Sequence, residues 1–308
     1  MHRLAALCAL AVAAAAAAAT AQAAMPTGCG APASGGTLSL SGRPLIVHTP
    51  AAATGKKPLA LVLNLHGSGS DPAQQELFTG MDATADADGF IVAYPQGAIP
   101  LATGFAWNVP GQPLANGAAV PKGAASDVAY LRRVVTYLES RYCVDAKRVY
   151  ATGFSGGARM ASQAACDLSG TFAAVAPVSG LRLPSPCPST RAVPVLAIHG
   201  TADPVDPYGG HGLAYWTYSV QTAASRWAAH DGCAAKSVST AGSGYTVTAY
   251  VECKGGSTVD LYSIAGEGHE WPGGPPLPKR IVRELGPQSS AIDANAVIWT
   301  FFADHRLS

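Results

Sequence analysis

Charge is scarce in this chain. Only 13% of its 308 residues are Asp, Glu, Lys or Arg, and 20 basic side chains almost cancel 19 acidic ones. Without a basic surplus there is no electrostatic footprint for nucleic acid or for an anionic membrane surface. The signature of disorder, few apolar residues with high net charge, is missing too, since 48% of residues are hydrophobic. No Cys-x-x-Cys pair occurs, which removes the usual spacing for a zinc or dithiol redox site. Beyond residue 23 no stretch is apolar for long enough to span a bilayer. No repeat, linker or composition shift divides the chain. The 34 Gly and 23 Pro are spread along it, as suits a loop-rich globular enzyme.

Residues 1–23 read as a secretory signal. His2 and Arg3 form a short positive start, 4–19 is an apolar run shorter than a membrane span, and Ala21-Gln22-Ala23 offers a cleavage site. Cys8 lies inside the apolar run and is not placed as a lipoprotein cysteine. The mature chain, 24–308, is expected to be one soluble domain, extracellular or periplasmic. Loss of Arg3 leaves 19 basic against 19 acidic side chains. It also leaves six cysteines, Cys29, Cys143, Cys166, Cys187, Cys233 and Cys253. An even count in an exported chain points to disulfides, although sequence alone does not choose their connectivity. Cys233 and Cys253 flank a hairpin arm and are the easiest pair to defend.

Short apolar strands alternate with helical stretches. Strands are expected over 37–47 (two, turning at Ser41-Gly42), 59–65, 90–94, 148–152, 172–177, 193–199, 245–251 and 259–264. Helices are expected over 71–87, from Ser126 onward, 156–166, 215–230 and 290–305. Asp71 is the expected N-cap of the first, with Pro72 in its first turn. Val128, Leu131, Val134, Val135 and Leu138 recur at helical spacing. The alternation predicts an α/β fold with a mainly parallel central sheet and helices on both faces. Residues 97–125 form a long aperiodic loop, more often a functional surface than filler.

The sharpest motif is Gly153-Phe154-Ser155-Gly156-Gly157, placed between a strand and a helix. That is the setting of a nucleophile elbow, where a serine on a strained turn needs small neighbours. A serine hydroxyl is a weak nucleophile without a base, and in this architecture the partners follow in the order Ser, acid, His. His269, in Gly-Glu-Gly-His-Glu-Trp, lies just after the last expected strand, whereas His305 is near the C-terminus. His269-Glu270 has no second histidine at metallopeptidase spacing, so no metal is expected. For the acid, Asp203 and Asp206 both follow strand 193–199. Asp203 is nearer the strand end and is preferred, with Asp206 a turn-capping or backup carboxylate. The oxyanion donors are expected to be the N–H groups of Gly156 and of Ser68, in His66-Gly67-Ser68-Gly69. His66 is read as orienting that turn. Trp107, in the long loop, and Trp271, two residues after the histidine, are candidates for lining a cleft and stacking a substrate ring.

GFSGGARM, HGTADPVDPY and GEGHEWPGG, in that order after LHGSGS, resemble the secreted α/β-hydrolase esterases. That group holds feruloyl and acetylxylan esterases and poly(3-hydroxybutyrate) depolymerase-like proteins. The likeness runs from about Gly28 to the closing helix, and GCGAP and YCVDAKRVYATGFSGG are similar to the feruloyl branch in particular. The resemblance implies a Ser155–Asp203–His269 triad and disulfides Cys29–Cys143, Cys166–Cys187 and Cys233–Cys253. It implies a cofactor-free, monomeric ester hydrolase acting on feruloylated plant-wall polysaccharide. Rivals are a polyester depolymerase, an acetylxylan esterase, an acyltransferase with a sugar acceptor, and a binding protein on an inactive hydrolase fold. The intact triad residues argue against the last. Single-domain length departs from polyester depolymerases that carry a linker and a surface-binding domain.

Overall fold

The structure is a computed structural model and describes residues 25–234 and 237–308. The segment read as an export signal, Cys8 included, lies outside them.

In chain order the strands are β1 (Gly36–Leu40), β2 (Arg43–His48), β3 (Leu59–Leu65), β4 (Ile91–Pro95), β5 (Ile99–Pro100), β6 (Phe105–Ala106), β7 (Val144–Phe154), β8 (Ala174–Val178), β9 (Val195–Gly200), β10 (Ser237–Gly242), β11 (Tyr245–Tyr250) and β12 (Val259–Ile264). The helices are α1 (Pro72–Thr79), α2 (Met81–Asp88), α3 (Asp127–Arg141), α4 (Gly156–Asp167), α5 (Val220–His230), α6 (Lys279–Leu285) and α7 (Ala294–Ala303). Ten strands form one sheet in the order β1-β2-β4-β3-β7-β8-β9-β12-β11-β10. The six central strands, β4 to β12, pair in parallel, and antiparallel strands close both ends.

Side chains alternate across a strand, and both faces are buried here. Leu61 and Leu63 of β3, Val149 of β7 and Val195 of β9 pack with Leu131 and Val134 of α3, Met160 of α4 and Trp227 of α5. Their neighbours Val62, Tyr150 and Leu196 pack on the opposite face with Met81 of α2 and Ile298 and Phe302 of α7. The fold is therefore α/β, with helices on both faces of a mainly parallel sheet, as the alternation of segments predicts.

Some boundaries differ from expectation for identifiable reasons. The single helix expected over 71–87 is two, because Gly80 takes a left-handed conformation (φ 58°) and its N–H closes α1 on Glu76 O. Asp71 does cap α1, accepting from Gln74 N. The helix expected from 215 begins at Val220, behind a Ser219 cap. Residues 215–218 are held in a loop by Arg182, whose guanidinium donates to Tyr215 O, Leu181 O and Tyr218 O. The long loop 97–125 is pinned through Asp127. Its carboxylate accepts from Arg43 and from the backbone N–H groups of Ala98 and Asn108.

Three disulfides join Cys29–Cys143, Cys166–Cys187 and Cys233–Cys253, the pairs the resemblance implies. The first closes a separation of 114 residues, against 21 and 20 for the others. Constraint of the unfolded chain grows slowly with loop length, so this bridge stabilises most. Non-reducing mass spectrometry of the mature protein is expected to find no free thiol. Replacing Cys29 and Cys143 by Ala should lower the unfolding free energy by ~4 kcal/mol, read from urea denaturation.

Candidate active site

Strand β7 runs without interruption into the elbow, and α4 starts at once on its far side. Ser155, between them, has φ 54° and ψ −114°, a region that side chains rarely adopt. The turn survives because its surroundings hold it. Ser155 N donates to Val178 O of β8 at 2.9 Å. The glycines of the motif allow close approach more than flexibility. A Cβ on Gly157 would stand 2.1 Å from Leu65 O, and one on Gly156 2.3 Å from Ser68 Oγ. The end of β3 and the elbow can touch only with no side chain there. The same approach puts the position of a Gly156 Cβ 3.2 Å from Ser68 N, so both expected oxyanion donors belong to one contact.

The turn carrying Ser68 is fixed from behind. His66 is fully buried; its Nδ1 bonds Gly67 O at 2.8 Å and its Nε2 accepts from Gly97 N at 3.0 Å. An acceptor at Nε2 and a donor at Nδ1 describe a neutral imidazole. Burial accordingly lowers its pKa to about 4. Trp107 Nε1 donates to His66 O at 2.8 Å, and the two rings lie 4.9 Å apart.

Asp203 and His269 meet at depth. Asp203 Oδ2 accepts from His269 Nδ1 at 2.7 Å, and His199 Nε2 lies 3.2 Å from the same oxygen. Asp203 Oδ1 accepts from Val205 N and Asp206 N, both at 2.8 Å. Burial would raise the Asp203 pKa, but the hydrogen bonds and charges of the two imidazoles outweigh it and hold the carboxyl well below the usual range. Burial likewise would lower His269; the bond and charge of Asp203, with Asp206 and Glu270 beyond it, outweigh that and shift the ring upward. The His269 ring lies 4.7 Å from the ring of Phe154, the residue before Ser155. Ala202 N donates to Glu267 O at 2.9 Å, joining the two loops, and His269 N donates to Leu285 O at the end of α6 at 2.6 Å.

Three expected roles change. Asp206 does not cap the turn; Asp203 does. The Asp206 carboxyl is buried with Oδ1 unpartnered, and burial raises its pKa. Neither tryptophan lines a cleft. Trp271 is fully buried, its Nε1 donating to Asn295 Oδ1 at 3.0 Å, and Trp107 is 3% exposed. Large indoles gain most from complete burial once their single N–H has an acceptor.

Sequence reasoning passed over His199, although His199 and Asp203 stand four apart at a strand end. Both neighbours of its Nε2, Asp206 O at 2.8 Å and Asp203, are acceptors, which places the proton there. It also passed over Glu267 and Glu270. Both are 1% exposed, and none of their carboxyl oxygens has a hydrogen-bond partner. Among the described residues no group of three or more His, Cys, Asp or Glu is arranged to hold a metal.

A mainly parallel sheet, a serine on a strained strand-to-helix turn and a buried carboxylate–imidazole pair define the α/β-hydrolase class of protein. Residues 45–209 match the family model described as Esterase PHB depolymerase, and the chain belongs to that family. It is similar to Feruloyl esterase B of Piromyces equi, 33% identical over 243 residues that cover 74% of this chain and 42% of the relative. It is also similar to the Putative esterase NocK of Nocardia uniformis subsp. tsuyamanensis, 40% identical over 157 residues, 50% of this chain and 42% of the relative. The match thus spans about two-fifths of the length of these relatives. The acetyl xylan esterase of Aspergillus awamori shares the fold, with a TM-score of 0.56 at 18% identity over 82% of this chain and 98% of that one.

Burial raises the Glu267 pKa to about 8, with the charges of Glu270 and Asp203 adding. The folded state then holds this proton more tightly than the unfolded state does. Stability is full below the ordinary carboxyl value and is lost as pH rises from there toward about 8. Glu267→Gln should match the wild type at pH 5 in urea unfolding and exceed it by ~2 kcal/mol at pH 9. A gap independent of pH would contradict this account.

Proposed function

We propose that the chain is an exported, monomeric serine ester hydrolase, with hydroxycinnamoyl (feruloyl) esters of plant-wall polysaccharide as substrates. The observation that carries the reading is the buried Asp203–His269 bond beside the strained Ser155 turn. Family membership supports ester chemistry, and the likeness to Feruloyl esterase B of Piromyces equi supports the acyl group. Three disulfides support export.

In this reading Ser155 Oγ attacks the ester carbonyl while His269 Nε2 takes the hydroxyl proton. The oxyanion that forms receives hydrogen bonds from Ser68 N–H and Gly156 N–H, with the α4 N-terminus behind them. Collapse expels the alcohol, which takes the proton from His269 and leaves an acyl-serine. Water then attacks, again with His269 as base; as the bond from the acyl carbon to Ser155 Oγ breaks, His269 returns its proton to that oxygen and the carboxylic acid departs. Asp203 does not change protonation state. It holds Nδ1–H toward itself, leaving Nε2 free as acceptor, and it stabilises the imidazolium. Because the base must start neutral and its pKa is raised, turnover should increase with pH across a value above the ordinary histidine range.

The family description also favours a second reading, a depolymerase of hydroxyalkanoate polyester. Release of ferulate from feruloylated arabinoxylan, against clearing of a polyhydroxybutyrate film, separates the two.

Ser155→Ala is expected to abolish hydrolysis of methyl ferulate, by on the order of 10^3-fold or more, with the fold intact by circular dichroism. Asp203→Asn should cost turnover on the order of 10^3-fold, because an amide favours the wrong imidazole tautomer. Asp206→Asn should stay within about tenfold of wild type, since its carboxyl holds no bond to the ring. An inactive Asp206→Asn beside an active Asp203→Asn would reverse the assignment.

A further inference from the structure

With Trp107 and Trp271 committed to packing, the aromatic surface beside His269 comes from elsewhere. The Phe154 ring lies 4.7 Å from His269 at an interplanar angle of 52°, and the Phe78 ring lies 4.8 Å from Phe154 at 57°. Phe154 is almost fully buried, whereas Phe78, near the end of α1, is only partly buried and keeps some of its surface open. Leu77 beside it is 74% exposed, the largest exposure among the exposed large hydrophobic residues described. Pro275 and Pro276, exposed on the segment that follows His269, extend the apolar rim. That segment closes on α1 directly: a Cβ on Gly274 would stand 3.1 Å from Phe78 O, and one on Gly80 3.4 Å from Pro275 Cγ.

Beneath Phe78 the structure is rigid. Asn295 Nδ2 donates to Thr79 O at 2.8 Å while Asn295 Oδ1 accepts from Trp271. Asn64 Nδ2 donates to Thr79 Oγ1 at 3.1 Å, and Gln75 Nε2 donates to Asn64 Oδ1 at 2.8 Å. Asn64, Gln75 and Thr79 are at most 1% exposed and Asn295 8%. A buried polar network is stable only when its members are satisfied together, so it accepts one geometry. This one ties the residue after Phe78 to Trp271, two positions after His269. The register between a partly buried ring and the proposed base is thereby set, as specificity at a reacting centre requires.

We infer that Phe78 is a specificity-determining residue whose exposed face takes an aromatic ring of the ester substrate, extending the tilted run from His269 through Phe154. The inference rests on the ester-hydrolase reading. An aromatic guest gains from tilted ring contact beyond the area it buries, by an amount equivalent to about three- to tenfold in affinity. An alkyl chain gains only the area term.

The ring could sit in the acyl group or in the alcohol, and two substrate pairs distinguish them. Methyl cinnamate against methyl butyrate places the ring in the acid, and phenethyl acetate against ethyl acetate places it in the alcohol. Phe78→Leu is expected to lower one of these two kcat/KM ratios by about three- to tenfold, mainly through KM, while Phe78→Tyr preserves it. The ratio that falls names the half of the ester that carries the ring. Unchanged ratios overturn the inference. So does an equal loss of kcat on all four esters, which would make Phe78 a support for Phe154 and His269 instead of a contact. A wild-type protein inert on all four overturns the hydrolase reading and this inference with it.

Discussion

Four donors converge on the Asp203 carboxylate, and the arrangement around Ser155 depends on all of them. Two backbone N–H groups of its own turn take one oxygen, and two imidazoles take the other. An isolated buried carboxylate would be costly enough to take up a proton. Here each oxygen is doubly served, so the charge persists in a site that excludes water. The bonds also join distant parts of the chain. Residue 203 follows β9, residue 269 follows β12, and these strands are parallel neighbours. Pairing Ile264 with Gly200 brings the two loops out of the same sheet edge side by side.

Buried acceptors organise the opposite wall in a similar way. Asp127 collects Arg43 and two backbone N–H groups from the long loop, and His66 collects Gly97 N while its carbonyl holds Trp107. A loop of this length has few ways to satisfy its backbone without such hubs. Through Gly97 and Trp107 the loop also fixes the turn carrying Ser68. The Glu267 and Glu270 carboxyls are the exception to this economy. They flank His269 with no donor, and burial raises them to about 8 and about 7. Near pH 7 Glu267 mostly keeps its proton and Glu270 is about half ionised, which reduces the negative charge around His269.

Much of this was legible before any coordinates, because it rests on local chemistry. Gly153, Gly156 and Gly157 around Ser155 signal a turn that tolerates no Cβ, and the contacts at Leu65 O and Ser68 explain why. Strand order constrains which histidine and which aspartate can meet, so Asp203 and His269 followed from position alone. What misled was residue type without environment. An indole two residues from a proposed base looks like a cleft wall, yet Trp271 turns inward because Asn295, from the closing helix, offers an acceptor. Asp206 looks like a cap, yet Asp203 is the residue whose oxygen lies within reach of the turn's N–H groups.

The sequence by itself determined the alternation of strand and helix, the strained turn at Ser155 and the order of the site residues. Each follows from side-chain period, backbone sterics and chain direction, which act over a few residues. Only the tertiary structure decided which aromatics are buried and which keep surface open, where α1 breaks and α5 begins, and which carboxyls lie buried without donors. Phe78 is only partly buried, and Trp271 fully, because of contacts with α7 and with the segment after His269, made across more than 200 positions in the case of Thr79 and Asn295. Burial and hydrogen-bond satisfaction are properties of such distant pairs, and no local pattern in the chain encodes them.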